Sequence, residues 1–208
     1  MCAKQLVAFC FGQDWAKRSS QHTRIYWKYS VSKPVLSFED VNPRKIILEQ
    51  ETAVQTAIKM GCFGLDKQHA DYAAYDLAQT IIGGYFGSRL MKNIREDKGY
   101  TYGIHSGTQA HKQKSVFTIS SQVGSAVAEQ ALEEIKKELH IMRTQEVGTQ
   151  ELQLVKNYIS GSILRSLNGP FALGEMMRML KENQLPDHYF AQYLLKMQAV
   201  GAQDILAA

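Results

Sequence analysis

The alternation of apolar and polar positions divides the chain unevenly. Residues 1–42 carry the weakest pattern. "GQDWAKRSSQHT" is polar without a period, "RIYWKYSV" reads as a strand rich in aromatic and β-branched residues, and "SKPVLSFEDVNP" reads as a connector carrying two prolines. This segment is expected to be a leader or linker, followed by one domain over residues 43–208. From Arg44 the pattern sharpens, and "RKIILEQE" and "TAIKMGCF" predict two strands. After "GLDKQH", where Asp66 is a candidate N-cap, Ala70, Ala73, Ala74, Leu77 and Ile81 recur at helical spacing. "GGYFG" interrupts them, and Ser88 is placed to cap a shorter helix with Leu90 and Ile94 on one face. Lys98 and Gly99 make a stop signal: a cation at the negative end of the helix, then a residue free to adopt positive φ.

"YTYGIHSGTQ" and "SVFTISSQV" predict two further strands joined as a hairpin through the polar "AHKQK". Helices dominate the remainder. Ser125 is a candidate cap for a helix with Ala128, Leu132, Ile135, Leu139 and Met142 on one stripe, and with Glu133 and Lys137 at i,i+4 spacing on the other. Thr149 opens a helix with Leu152, Val155, Ile159 and Ile163 inward, and "LNGP" ends it. Two more helical stretches run over 171–182 and 187–197, and "GAQDILAA" begins another. Strands in runs and helices in runs indicate an α+β fold, a mostly antiparallel sheet packed on helices, rather than a doubly wound α/β sheet.

Composition narrows the function classes. The chain has 208 residues, and 24 Lys and Arg against 20 Asp and Glu give a net charge of +4. The charges are interspersed and lack the concentrated basic stripe of a nucleic-acid binder. No run approaches the ~18 apolar residues of a membrane span, and "QLVAFCF" behind a single lysine is a poor signal peptide. The compartment stays open. Cys2, Cys10 and Cys62 are widely spaced and form no metal or disulfide pattern.

Candidate chemistry is sparse. The six histidines include no pair at i,i+4 and no H-x-x-E-H, and His105 and His111, flanking the predicted hairpin turn, are the one pair worth testing as ligands. "GGYFGSRL" follows a helix rather than a strand and lacks the Lys-Ser/Thr of a P-loop, so a tight connection between helices explains it better than phosphate binding. There is no G-x-S-x-G elbow. Arg95 and Tyr102 remain, 7 positions apart across a helix end and a strand start. A guanidinium with five fixed donors and a phenol on a rigid ring suit the carbonyl oxygens of an extended peptide, or an oxyanion formed on one. The competing explanation is ordinary: Arg95 pairs with Glu96 or Asp97, and Tyr102 is an aromatic at the core edge.

"IIGGYFGSRLMKNIREDKGYTYGIHS" resembles the second, metal-free domain of the M16 zinc peptidases, the insulinase, pitrilysin and mitochondrial-processing-peptidase-like family. Ser88, Arg89, Leu90, Arg95, Lys98, Gly99 and Tyr102 fall on its pattern, and "GTQELQLVKNYISGSI" is similar to its later T-x-E-L-x-x-x-K helix. The resemblance implies two facing α+β domains, one with an H-x-x-E-H zinc site and one that assists it. It implies that Arg95 and Tyr102 bind substrate carbonyls and stabilise the tetrahedral intermediate. It also implies that this chain holds no metal or cofactor, that zinc sits in a partner domain of the same or another polypeptide, and that a peptide or protein is the substrate. Gly99-Tyr100-Thr101-Tyr102 departs from the family's Gly-Leu-Ala-Tyr, which makes Tyr100 a competing hydroxyl. The chain is thus expected to be half of a longer chain or pair. Two alternatives stand beside this: a structural scaffold homologue without peptidase role, and an independent enzyme whose site assembles from distant histidines.

Overall fold

The computed structural model describes residues 45–50, 52–110 and 114–208. The leader expected over 1–42, with its strand "RIYWKYSV", lies outside the described residues, as do His22 and His111. The described chain is α+β, as the run of elements predicts. Strand β1 (Gln55–Gly64) is followed by helix α1 (Tyr72–Gln79), which continues into a wider, π-wound turn over Thr80–Gly84. Helix α2 (Met91–Asp97) is also π-wound. The hairpin follows as β2 (Thr101–Ala110) and β3 (Ser115–Gly124). Helices α3 (Ala128–Thr144), α4 (Thr149–Ser166), α5 (Pro170–Glu182), α6 (Tyr189–Ala199) and α7 (Ala202–Ala207) complete the chain.

The sheet has three antiparallel strands in the order β1-β3-β2. Its period-2 alternation sends Ile58 and Met60 of β1, Ile104 and Ser106 of β2, and Ile119, Ser121 and Val123 of β3 toward the helices. The row Lys59, Ser120 and His105 lies across the other face. Leu77, Ile81, Leu90, Ile94, Ile135, Val155 and Met197 bring the helical stripes into the same core. Each contributes about 1.5–3 kcal/mol by leaving water.

Several expectations fail for local reasons. "RKIILEQE" forms no strand over 45–50; Ile46, Ile47 and Leu48 are exposed there. A strand needs a ladder partner, and this stretch pairs with none of the three strands of the described sheet. Asp66 accepts the Gln68 N–H at 3.0 Å and so closes a turn ahead of α1 instead of capping the helix. Ser88 accepts the Lys92 N–H at 2.9 Å through its carbonyl, while its hydroxyl is buried and caps nothing among the described residues. Ser125 starts a single 3-10 turn before α3, and its hydroxyl reaches back to the Ala53 carbonyl at 3.2 Å. On α3 the ion pairs form at i,i+3: Lys136 with Glu133 at 2.7 Å and Lys137 with Glu134 at 3.9 Å.

"GGYFG" proves to be a packing device. A Cβ at Gly83 would sit 2.7 Å from both the N and the Oγ of Ser106 on β2, and one at Gly87 would sit 2.9 Å from the Tyr85 ring. The Ser106 hydroxyl donates to the Gln79 carbonyl at 2.9 Å, which fastens the end of α1 to the strand at the same place. Gly83→Ala is therefore expected to destabilise the protein by about 1–3 kcal/mol through overpacking. Gly107→Ala, where a Cβ meets open space, should change stability by less than about 0.5 kcal/mol. Urea unfolding of the two variants checks both; equal midpoints would refute the close approach at Gly83.

Candidate functional site

The corner between α2 and β2 is built by two backbone irregularities. At the first, Gly99 adopts φ +65°, and the Tyr100 N–H reaches the Ile94 carbonyl at 3.0 Å while the Lys98 N–H reaches the Asn93 carbonyl at 3.0 Å. These bonds close the π-wound helix and leave Arg95 in its last turn. The second is a bulge. Thr101 pairs with Val123 and Ile104 with Ser121, so β2 places one residue more than β3 across that interval. Thr101 and Ile104 both point inward as a result. Tyr102, on the bulge, points out, at 94% exposure.

Hydroxyls stitch the bulge. Thr101 Oγ1 lies 2.6 Å from the Gln122 carbonyl oxygen as its donor, and accepts the Gly103 N–H at 3.1 Å. Ser121 Oγ lies 3.0 Å from both the Thr101 hydroxyl and the Gly103 carbonyl. Thr101 thus holds Tyr102 in place. Tyr100 packs against the core, whereas Tyr102 is exposed.

Arg95 and Tyr102 meet across this corner. The guanidinium carbon is 5.9 Å from the centre of the Tyr102 ring and 4.6 Å from that of Phe86, which the glycine turn carries to the same place. Such contacts contribute about 0.5–1 kcal/mol at exposed positions. Arg95 Nη1 also stands 3.7 Å from Glu96 Oε1. The ordinary pairing with Glu96 therefore exists, but at a length that leaves most of the donors uncommitted. Tyr102 is no core-edge aromatic.

Other motif residues are committed to the scaffold. Arg89 forms a fork with Glu151 of α4, Nε to Oε1 at 2.9 Å and Nη2 to Oε2 at 2.6 Å. Lys156, buried, donates to the Gln198 carbonyl at 2.8 Å and the Val200 carbonyl at 2.7 Å, capping the end of α6. Asn93 donates to Glu134 at 3.1 Å and Glu138 at 2.7 Å, which ties α2 to α3. None of these three partnerships is visible in the sequence, because each joins residues at least 41 positions apart.

Residues 14–159 match the family described as the peptidase M16 inactive domain. The chain belongs to that family. The zinc protease YmxG of Bacillus subtilis (strain 168) is 27% identical over 128 residues, 62% of this chain and 31% of that protein. The crystal structure of a peptidase M16 inactive domain from Pseudomonas fluorescens superposes with a TM-score of 0.68 at 27% identity, over 74% of this chain and 37% of that one. A protease from Helicobacter pylori shares the fold at 16% identity, with a TM-score of 0.69 over 76% of this chain and 38% of that one. The chain thus spans about a third of the length of these relatives.

The described part of this M16 domain offers a metal little. Among the described residues no three His, Cys, Asp or Glu side chains gather as ligands. His105 is exposed on the outer sheet face beside Ser120, and His111 lies outside the described residues. Zinc does not fit the described residues. Among them no helix is long and apolar enough to cross a membrane.

A cleft of about 290 Å³ opens between α1, α4 and α6, and neither Arg95 nor Tyr102 lines it. Tyr193 donates to Asp76 Oδ2 at 2.5 Å, Gln79 donates to Asp76 Oδ1 at 2.8 Å, and Lys67 donates to Tyr72 at 3.0 Å. Burial first, and the Asp76 carboxylate second, push the phenols of Tyr72, Tyr189 and Tyr193 well above their ordinary range.

Thr101→Val, which keeps the shape and removes the hydroxyl, should cost about 1–3 kcal/mol by orphaning the bulge. It should also speed amide exchange at Gly103, and an unchanged Gly103 rate would refute the stitch. The tyrosine cleft sets an alkaline limit. A phenol whose folded pKa is raised contributes stability that is complete below about pH 10 and is lost as pH rises beyond it, because only the unfolded chain releases the proton there. Absorbance at about 295 nm, where phenolate absorbs, should show three tyrosines ionising only together with loss of helical circular dichroism. Their ionisation in the folded protein would overturn the assignment.

Proposed function

We propose that this M16 domain is the peptide-gripping, non-catalytic half of a zinc peptidase, working opposite a domain that carries H-x-x-E-H. The observation that supports it best is the exposed corner where Arg95 and Tyr102 stand side by side, each on an irregularity of the backbone. Surface arginines and tyrosines need neither device.

An extended peptide presents carbonyl oxygens along its length, and these accept from N–H and O–H donors. The Arg95 guanidinium reaches one of them with its edge, and the Tyr102 hydroxyl, on a ring free to solvent, reaches the same or the next. When water adds to the scissile carbonyl, the oxygen gains full negative charge, and donors already aimed at it stabilise the transition state more than the ground state. The zinc of the partner domain supplies the activation of that water. Holding the chain in register also converts the water attack into a step between fixed partners.

The test uses the enzyme with its zinc-bearing domain and an internally quenched peptide library. The domain alone should leave every peptide uncut. In the assembled enzyme, Arg95→Ala should lower kcat by about 100-fold and Tyr102→Phe by about 10- to 100-fold, with circular dichroism and stability unchanged. Wild-type turnover in both variants would sink the assigned roles and leave a scaffold function standing.

A further inference from the structure

We propose that Phe86 is a positioning residue for Arg95: its ring holds the guanidinium plane so that the edge donors stay free for a peptide carbonyl. This rests on the proposed role of Arg95 and Tyr102. Phe86 is 65% exposed on the turn between α1 and α2, an uneconomical place for a large apolar ring unless it covers something. It covers the guanidinium, whose central carbon lies 4.6 Å from the ring centre, closer than the 5.9 Å to Tyr102.

The kind of partner matters. A carboxylate satisfies arginine through its N–H donors and so removes them from use. An aromatic face takes the flat side of the guanidinium and leaves the N–H edge outward. Glu96 is the competing partner, at 3.7 Å and half-exposed. Without the ring, Arg95 is free to close that distance and turn its donors away from the position they share with Tyr102. The ring itself is well mounted. Gly83 is pressed on Ser106, Gly87 lies under the Tyr85 ring, and Tyr85 in turn packs on Tyr158 of α4 with centroids 5.2 Å apart. Each neighbour of Phe86 in the turn is therefore fixed from below while its own ring projects to the site.

Phe86 is exposed, so its variants should fold, and thermal unfolding checks that they do. In the zinc-bearing enzyme, assayed on the best-cleaved peptide of the library, Phe86→Ala should lower kcat by about two- to five-fold. Phe86→Trp should restore it, and Phe86→Leu, equally apolar but without a π face, should not. In an Arg95→Ala background the Phe86→Ala loss should vanish. A second readout is independent of turnover. In the same protein, the Arg95 Nε–H proton resonance, assigned with Arg95→Lys, should sit upfield from ring shielding, move downfield in Phe86→Ala and Phe86→Leu, and stay upfield in Phe86→Trp. An unmoved resonance in Phe86→Ala, a loss that persists without Arg95, or leucine matching tryptophan would each overturn the role of Phe86 while leaving Arg95 and Tyr102 as assigned. Full turnover in Arg95→Ala would remove the proposed function and the positioning role together.

Discussion

At Gly83 main chain presses on main chain, and the corner of this domain is organised around that contact. A helix can end against a strand this closely only where no Cβ intervenes; at Gly83 one would fall 2.7 Å from the Ser106 nitrogen. The hydrogen bond from the Ser106 hydroxyl to the Gln79 carbonyl closes the same seam with a polar clamp. Leu77 and Ile81 before the turn, and Leu90 and Ile94 after it, are fully buried, so the turn is anchored hydrophobically on both sides. The start of α2, and with it the place where Arg95 emerges, follows from this anchoring. At the far end of α2 the positive φ of Gly99 sends the chain into β2, whose bulge turns Tyr102 outward. Arg95 and Tyr102 are neighbours because three small backbone devices act in series.

The two arginines of the motif show how partners divide structure from chemistry. Arg89 is saturated: a two-point fork to Glu151 locks α4 onto the start of α2. Desolvation opposes the charge there, but the fork outweighs it, and the guanidinium is held even more firmly protonated than usual. Arg95 has one long approach to a carboxylate and two aromatic neighbours. Both sit within one short motif and carry the same group, yet only one retains donors for a ligand. Lys156 makes the same point on α4. It carries a charged amine in the same family pattern, but its ammonium is committed to the Gln198 and Val200 carbonyls at the end of α6.

Much of this fold was legible in the residue pattern, for physical reasons. The hairpin of β2 and β3 follows from β-branched alternation on both sides of a polar turn, and α3 to α7 follow from apolar stripes and the breaks at Gly169-Pro170 and Pro186. Gly99 was readable as a stop because only glycine adopts φ +65° without strain. The misreadings share a cause. "RKIILEQE" has the composition of a strand, but strand formation depends on a partner that composition does not encode. Ser88 and Ser125 have the chemistry of caps, but the Ser88 hydroxyl is buried without a partner among the described residues and the Ser125 hydroxyl is taken by the distant Ala53 carbonyl. Of the candidate site, the two residue types and their spacing were legible. The bulge at Tyr102, the π winding around Arg95 and the arrival of Phe86 were not, because each depends on register or packing across the domain.

A grip made of a guanidinium edge and a phenol hydroxyl has a consequence for selectivity. On the proposed function, both donors address main-chain oxygen, which every peptide carries alike. On the role proposed for them, they fix the register of a substrate without reading its side chains. Discrimination among peptides must then come from surfaces beside the grip, and on this domain these include the exposed Phe86 ring on the turn and the half-exposed Glu96 carboxylate. A ring that shields a guanidinium on one face still offers its other face and edge to a neighbouring side chain. The feature that orients the donors and the feature that would favour an apolar residue next to the held carbonyl are thus the same ring, so changes at Phe86 that preserve the π face while altering its bulk would separate orientation from selectivity.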